Sequence, residues 1–149
     1  MRKEQIRSTY TWRGGSSCQD YVLVDSGCGG EDQPTSGFSV ARVLLLFSFR
    51  YGTETFPCAL VWRYILADES GSRDEDTGMW LVERGYHDGD PEKPELEVIP
   101  IGSIFRAVHL LPFFGKEPVS RSLMHEDSLD EYAMFYVNRF ADHHSFEIL

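Results

Sequence analysis

The residues best suited to binding a metal ion are Asp142, His143 and His144, with Glu147 three residues after His144. Imidazole and carboxylate groups one helical turn apart can reach one ion from the same side of a helix. One alternative function is therefore a small metal-dependent hydrolase that uses His143, His144 and Glu147. The favoured interpretation is the end of a helix, where imidazoles complement the negative end of the macrodipole.

Aromatic residues offer a second kind of site. Trp62, Tyr64 and Trp80 fall in predicted strands, and Glu83 follows Trp80 along the chain. Aromatic rings bind cations such as methylated lysine by cation–π attraction, and a nearby carboxylate strengthens such a site. We predict these four residues as contacts for a peptide, beside the simpler interpretation that the tryptophans pack in the core.

The charge of the chain indicates the class of its partner. Asp and Glu number 24 against 14 Lys and Arg, which gives a formal net charge of -10. Binding to nucleic-acid phosphates requires clustered Lys and Arg, so a basic peptide or another protein is the expected partner. The exception is residues 1–13, which contain four Lys and Arg residues and one Glu. This basic arm gives a third function, contact with nucleic acid.

Several other classes are disfavoured. No apolar run approaches the roughly 20 residues that span a bilayer, and no apolar leader segment follows the basic start. Three cysteines without a Cys-x-x-Cys pair predict a reducing, intracellular location. No glycine-rich loop precedes Lys-Ser or Lys-Thr, and no complete catalytic constellation is present. We therefore predict a protein that is not an enzyme and has no cofactor.

The hydrophobic pattern predicts strands at residues 21–24, 38–51, 56–66, 78–83, 96–100 and 108–110. The second and third form a long antiparallel hairpin around a turn near Gly52. Along residues 38–51 one alternate set is wholly apolar and is predicted to face the core. That set is Ala41, Val43, Leu45, Phe47 and Phe49.

The two ends of the chain are predicted to differ from this pattern. Residues 1–19 contain Gly14-Gly15-Ser16-Ser17 and are predicted to form a flexible N-terminal arm. Ser128 and Glu131 have the spacing of a capping box before apolar residues at helical spacing, which predicts a helix at about 129–141. The fold class is then mostly β: one domain over residues 20–149, a small bent sheet or partly closed β-barrel with one C-terminal α-helix.

Five sequence blocks, in this order, resemble the C-terminal region of Plavaka-type transposases of basidiomycete fungi. They are VARVLLLFSF at 40–49, FPCALV at 56–61, DTGMW at 76–80, HLLP at 109–112 and FYVNRFADHH at 135–144. The resemblance covers about residues 20–149. In that family the transposition chemistry belongs to a nuclease core upstream of such a tail. The resemblance therefore implies a transposon-derived tail without the catalytic core.

The strand succession that ends in LEVIPIGSI at 96–104 also resembles bromo-adjacent homology (BAH) domains, small β-barrels that bind chromatin proteins. This likeness implies binding of a basic, histone-like segment, with Trp62, Tyr64 and Trp80 as contacts, and a nuclear location. The sequence as a whole predicts a non-catalytic protein-interaction module.

Overall fold

The computed structural model describes residues 3–9, 11, 13–14, 17–25, 37–67, 73–115, 118, 121–122 and 132–149 of the chain. The chain divides into two compact units: Met1–Ile65 with Arg84–Val108 form unit 1, and Leu66–Glu83 with His109–Leu149 form unit 2. Each unit combines two separate stretches of chain. The prediction of a single domain over residues 20–149 stays a prediction.

The fold is mostly β with a short C-terminal helix, as predicted. Short 3-10 turns occur at His87–Gly89 and Ile101–Ser103. In chain order the elements are β1 (Ser8–Thr9), β2 (Cys18–Gln19), β3 (Tyr21–Asp25), β4 (Phe38–Tyr51), β5 (Glu54–Leu66), β6 (Leu81–Arg84), β7 (Leu96–Pro100), β8 (Ile104–Val108), β9 (Leu110–Pro112), β10 (Met134–Val137) and α1 (His143–Ile148).

Unit 1 is a partly closed antiparallel barrel of five strands. Their order is β8-β3-β4-β5-β7, and the 3-10 turn at Ile101–Ser103 joins the two end strands. Alternate residues of every strand meet in one core, because side chains along a strand point to opposite faces. The core residues are Val22, Val24, Ala41, Val43, Ala59, Val61 and Ile99, with Ile104 packed against them.

The β4 and β5 hairpin contains a bulge that the sequence did not predict. Val43 pairs with Val61, but the next pair joins Leu45 to Leu60, so Leu44 is an extra residue in β4. One extra residue reverses the alternation of every side chain beyond it. Ala41 and Val43 are therefore buried, as predicted. The prediction that Leu45 and Phe49 face the core is wrong, since they are 49% and 47% exposed.

Residues 4–9 are not the free arm that the composition predicts, and we call them the N-terminal strap. Ile6 packs against the barrel core. Glu4 accepts a hydrogen bond from the Ala107 amide (3.0 Å) and pairs with Arg106 (3.1 Å). At its other end the strap includes β1, which pairs with β2. Apolar packing and side-chain hydrogen bonds fix this segment, although its polar composition resembles a linker.

Unit 2 contains β6, β10 and β9, which pair in that order in an antiparallel sheet. Phe135 and Val137 of β10 are fully buried, and Val82 of β6 and Leu110 of β9 are also buried. The helix α1 begins after Asp142, whose carboxylate accepts a hydrogen bond from the Ser145 amide (2.7 Å). No helix in the described ranges has the length and apolar character needed to cross a membrane.

The prediction of a helix at about 129–141 is wrong over its described part. Met134–Val137 is a strand whose backbone pairs with β6 on one side and β9 on the other. Aromatic and β-branched residues such as Phe135, Tyr136 and Val137 favour strands, and alternate burial of Phe135 and Val137 fits a strand. The sequence pattern wrongly predicted a helix because the same apolar residues also fit helical spacing. The proposed capping residues Ser128 and Glu131 lie outside the described residues.

A close backbone approach at Gly85 gives a test of the unit 1 fold. A Cβ atom on Gly85 would lie 2.7 Å from the Arg63 carbonyl oxygen and 2.8 Å from Glu95 Oε2. We expect Gly85→Ala to reduce the free energy of unfolding by about 1–3 kcal/mol, measured by urea denaturation. Gly102→Ala is the matched control, because a Cβ there meets nothing within 4 Å. Equal stability of both variants would contradict the described approach.

Candidate protein-binding surface

The outward residues of β4, β5 and β7 form an apolar surface on unit 1. Cross-strand partners lie on the same side of a sheet, so the pairing defines rows of neighbouring side chains. One row joins Leu45, Leu60 and Val98. We call the whole surface the apolar outer face; its residues are Leu45, Phe47 and Phe49 of β4, Phe56, Leu60 and Trp62 of β5, and Leu96, Val98 and Pro100 of β7.

Much of this face is open to solvent. Val98 is 54% exposed and Leu45 is 49% exposed, whereas the inward residues Val43 and Val61 are fully buried. The rings of Phe49 and Phe56 stack on each other with centroids 5.3 Å apart. Scattered exposed apolar residues are ordinary, but a contiguous patch is typical of a protein interface. The apolar outer face is thus the strongest candidate site in the described residues.

An aromatic cluster continues the face around Trp62, which pairs with Leu96. The Trp62 ring meets the rings of Tyr86 (5.6 Å) and Tyr64 (6.5 Å) edge-on. Its Nε1 donates a hydrogen bond to the Gly85 carbonyl (2.8 Å), which fixes the ring orientation. The Arg84 guanidinium lies over the Trp62 ring at 5.9 Å. A cation from the chain itself therefore already contacts the ring that the sequence predicted for a ligand cation.

The structure places the four predicted aromatic-site residues in both units. Trp62 is half-buried and Tyr64 is buried, and both belong to unit 1. Trp80 and Glu83 belong to unit 2. Trp80 is buried, donates a hydrogen bond from Nε1 to the Leu149 carbonyl (3.1 Å) and lies under the Arg73 guanidinium (4.9 Å). Trp80 and Tyr64 thus pack as core residues, the simpler of the two interpretations.

The residues predicted for metal binding lie at the start of α1. His143 Nδ1 and Glu147 Oε1 are 3.5 Å apart, and both side chains are largely exposed. His144 is also exposed. Within the part of the chain that the structure describes, no group of three His, Cys, Asp or Glu side chains is arranged to hold an ion. The histidines lie at the beginning of the helix rather than at its end, because Asp142 caps it.

Shifted pKa values in unit 2 have structural causes. The Thr77 hydroxyl donates a hydrogen bond to the Asp74 carboxylate and lowers its pKa. The Thr77 amide donates a second hydrogen bond to the same carboxylate and lowers this pKa by a smaller amount. Burial raises the pKa of Tyr136, and the charges of Asp74 and Asp76 raise it further. Burial and then the charge of Arg139 lower the pKa of Arg73. Shifted values can mark catalytic groups, but here turn geometry and packing account for them.

Sequence reasoning missed the apolar outer face and the ring of Tyr86. The alternation of Leu96, Val98 and Pro100 against the buried Ile99 was present in a predicted strand, but it does not tell which set faces solvent. The outward position of Leu45 and Phe49 depends on the bulge at Leu44, for which the sequence has no local signal such as glycine.

Comparisons of the chain with protein-family models, with curated proteins and with solved structures gave no match.

A metal titration tests the hydrolase alternative. We expect zinc, manganese or EDTA to leave the melting temperature of the full chain unchanged, because the described residues provide His143 and Glu147 without a third ligand. An ion that binds the native state would raise its stability by mass action. A rise with zinc that His144→Ala abolishes would instead support the hydrolase.

Proposed function

We propose that this chain is a non-catalytic protein-interaction module that binds its partner through the apolar outer face. The observation that carries the proposal is the row of Leu45, Leu60 and Val98, in which the outer two residues are about half exposed. Burial of this apolar surface on binding would drive such a contact, because each Å² removed from water contributes about 25 cal/mol of favourable free energy. A partner that covers three adjacent strands would bury this row together with the stacked Phe49 and Phe56.

The charge of the chain favours a basic partner. The net charge of -10 attracts a cationic segment over the distance of a Debye length and raises its rate of association. Glu54 pairs with Tyr51 on the outward side at the tip of the hairpin, next to Phe49 and Phe56. Arg84 lies at the other end, over Trp62. A basic segment would therefore fit best toward the tip, with its apolar residues on the face and its cations near Glu54.

The resemblances give this proposal a biological context. In the Plavaka transposase family the transposition chemistry belongs to a separate nuclease core, so a tail of this type would act by binding. A BAH-like barrel would bind histone-like segments, which are rich in lysine and arginine, and would act in the nucleus. Both contexts agree with an acidic module whose outer face is apolar.

The proposal is tested with labelled histone-tail peptides, modified and unmodified, whose affinity is measured by fluorescence anisotropy. We expect Leu45→Ser and Val98→Ser each to weaken binding about five- to ten-fold, the effect of losing roughly 1–1.4 kcal/mol of contact.

Ile65→Ser is the matched control. Ile65 is 44% exposed on β5, but it points to the side opposite Leu60 and Trp62. It should bind within about two-fold of the unaltered chain. Equal affinity of all three variants would contradict a role for the apolar outer face, and binding of acidic but not basic peptides would contradict the proposed partner class.

A further inference from the structure

The bulge at Leu44 is held by the N-terminal strap. The Leu44 carbonyl accepts hydrogen bonds from Ser8 Oγ (2.6 Å) and from Gln19 Nε2 (3.4 Å). The neighbouring Val43 amide donates to the Asp20 carbonyl (2.9 Å). Asp20 in turn is bound to Arg7 twice, through its amide to the Arg7 carbonyl and through its carboxylate to the Arg7 amide. Ser8 of the strap, Gln19 of β2 and Asp20 thus provide hydrogen-bond partners for the backbone of β4 at the bulge.

The same hairpin has a second possible register. Continuing the pairing of Val43 with Val61 without a bulge would bring Leu44 opposite Leu60, Ser48 opposite Phe56 and Arg50 opposite Glu54. The hairpin loop would then lengthen from Gly52 and Thr53 to Tyr51, Gly52 and Thr53, and three-residue loops are common in hairpins. Arg50 and Glu54 would also become a pair of opposite charges across the strands.

The sequence itself favours this bulge-free register. In it Leu45, Phe47 and Phe49 would join Ala41 and Val43 on the inward side, the alternation that the sequence predicts. The residues turned outward would be Leu44, Leu46, Ser48 and Arg50. Two registers of one strand therefore give two different outer faces, one apolar and one partly polar and basic.

We propose that the N-terminal strap selects the bulged register of β4 and thereby controls whether the apolar outer face exists. Release of the strap removes the Ser8 hydrogen bond to Leu44 and favours the bulge-free register. Leu45, Phe47 and Phe49 then leave the surface. This control of binding rests on the proposed function, whereas the two registers do not.

Cross-strand NOEs in the full chain identify the register of the β4 and β5 hairpin directly. The bulged register links Phe49 with Phe56, and the bulge-free register links Ser48 with Phe56. We expect Ser8→Ala to raise the bulge-free population about five-fold, the ratio that loss of one ordinary hydrogen bond gives, seen as a minor state in saturation-transfer experiments. We expect Ile6→Asp, which places a charge against the barrel core, to release the strap and make the NOE between Ser48 and Phe56 dominant.

Thr9→Ala is the matched control, because this variant also loses a side-chain hydroxyl, one residue away from Ser8. It should keep the bulged register. A folded Ile6→Asp variant that has lost the NOEs between Thr9 and Cys18 and still links only Phe49 with Phe56 would overturn the proposal. If Ile6→Asp does not fold, Ser8→Ala decides alone: an unchanged minor-state population overturns it. A register change without any change in peptide affinity would support the control of the register by the strap and would contradict the proposed function.

Discussion

Between the pair of Val43 with Val61 and the pair of Leu45 with Leu60, β4 contains one residue more than β5. The side-chain period of a strand is two residues, so this single insertion decides which side of the hairpin is apolar from Leu45 onward. Ala41 and Val43, before the bulge, are the β4 residues of the barrel core. The large apolar residues beyond the bulge are left on the outside, where unit 1 presents them together with Val98.

Two consequences follow for function. An apolar row across three strands is favourable to bury, and the proposed partner is the means of burying it. The bulge also needs hydrogen-bond partners for its backbone, since an unpaired carbonyl at a partly buried position costs about 1–3 kcal/mol. Ser8 of the strap supplies the main one, and the strap is itself anchored by Ile6 and Glu4. The N-terminal segment, the bulge and the apolar outer face therefore depend on one another.

The sequence predicted those features that depend on local pattern. The hairpin of β4 and β5, the strand β3 and the strand β7 follow from alternation and turn residues, and all were found. The bulge could not be predicted, because it is stabilised by Ser8 and Asp20, which are distant from Leu44 in sequence. Tertiary pairing likewise made Met134–Val137 a strand, although its apolar spacing fits a helix. Of the candidate site, Trp62 was predicted, but Tyr86, Leu45 and Val98 required knowledge of the register.

Solvent paramagnetic relaxation of methyl groups with a soluble gadolinium chelate measures directly which side of the hairpin faces solvent. We expect strong relaxation of the Leu45 and Val98 methyls and weak relaxation of the Val43 and Val61 methyls, which lie in the barrel core. A protected Leu45 beside strongly relaxed Leu44 and Leu46 would show the bulge-free register in the unaltered chain. That result would contradict the apolar outer face and the function proposed from it.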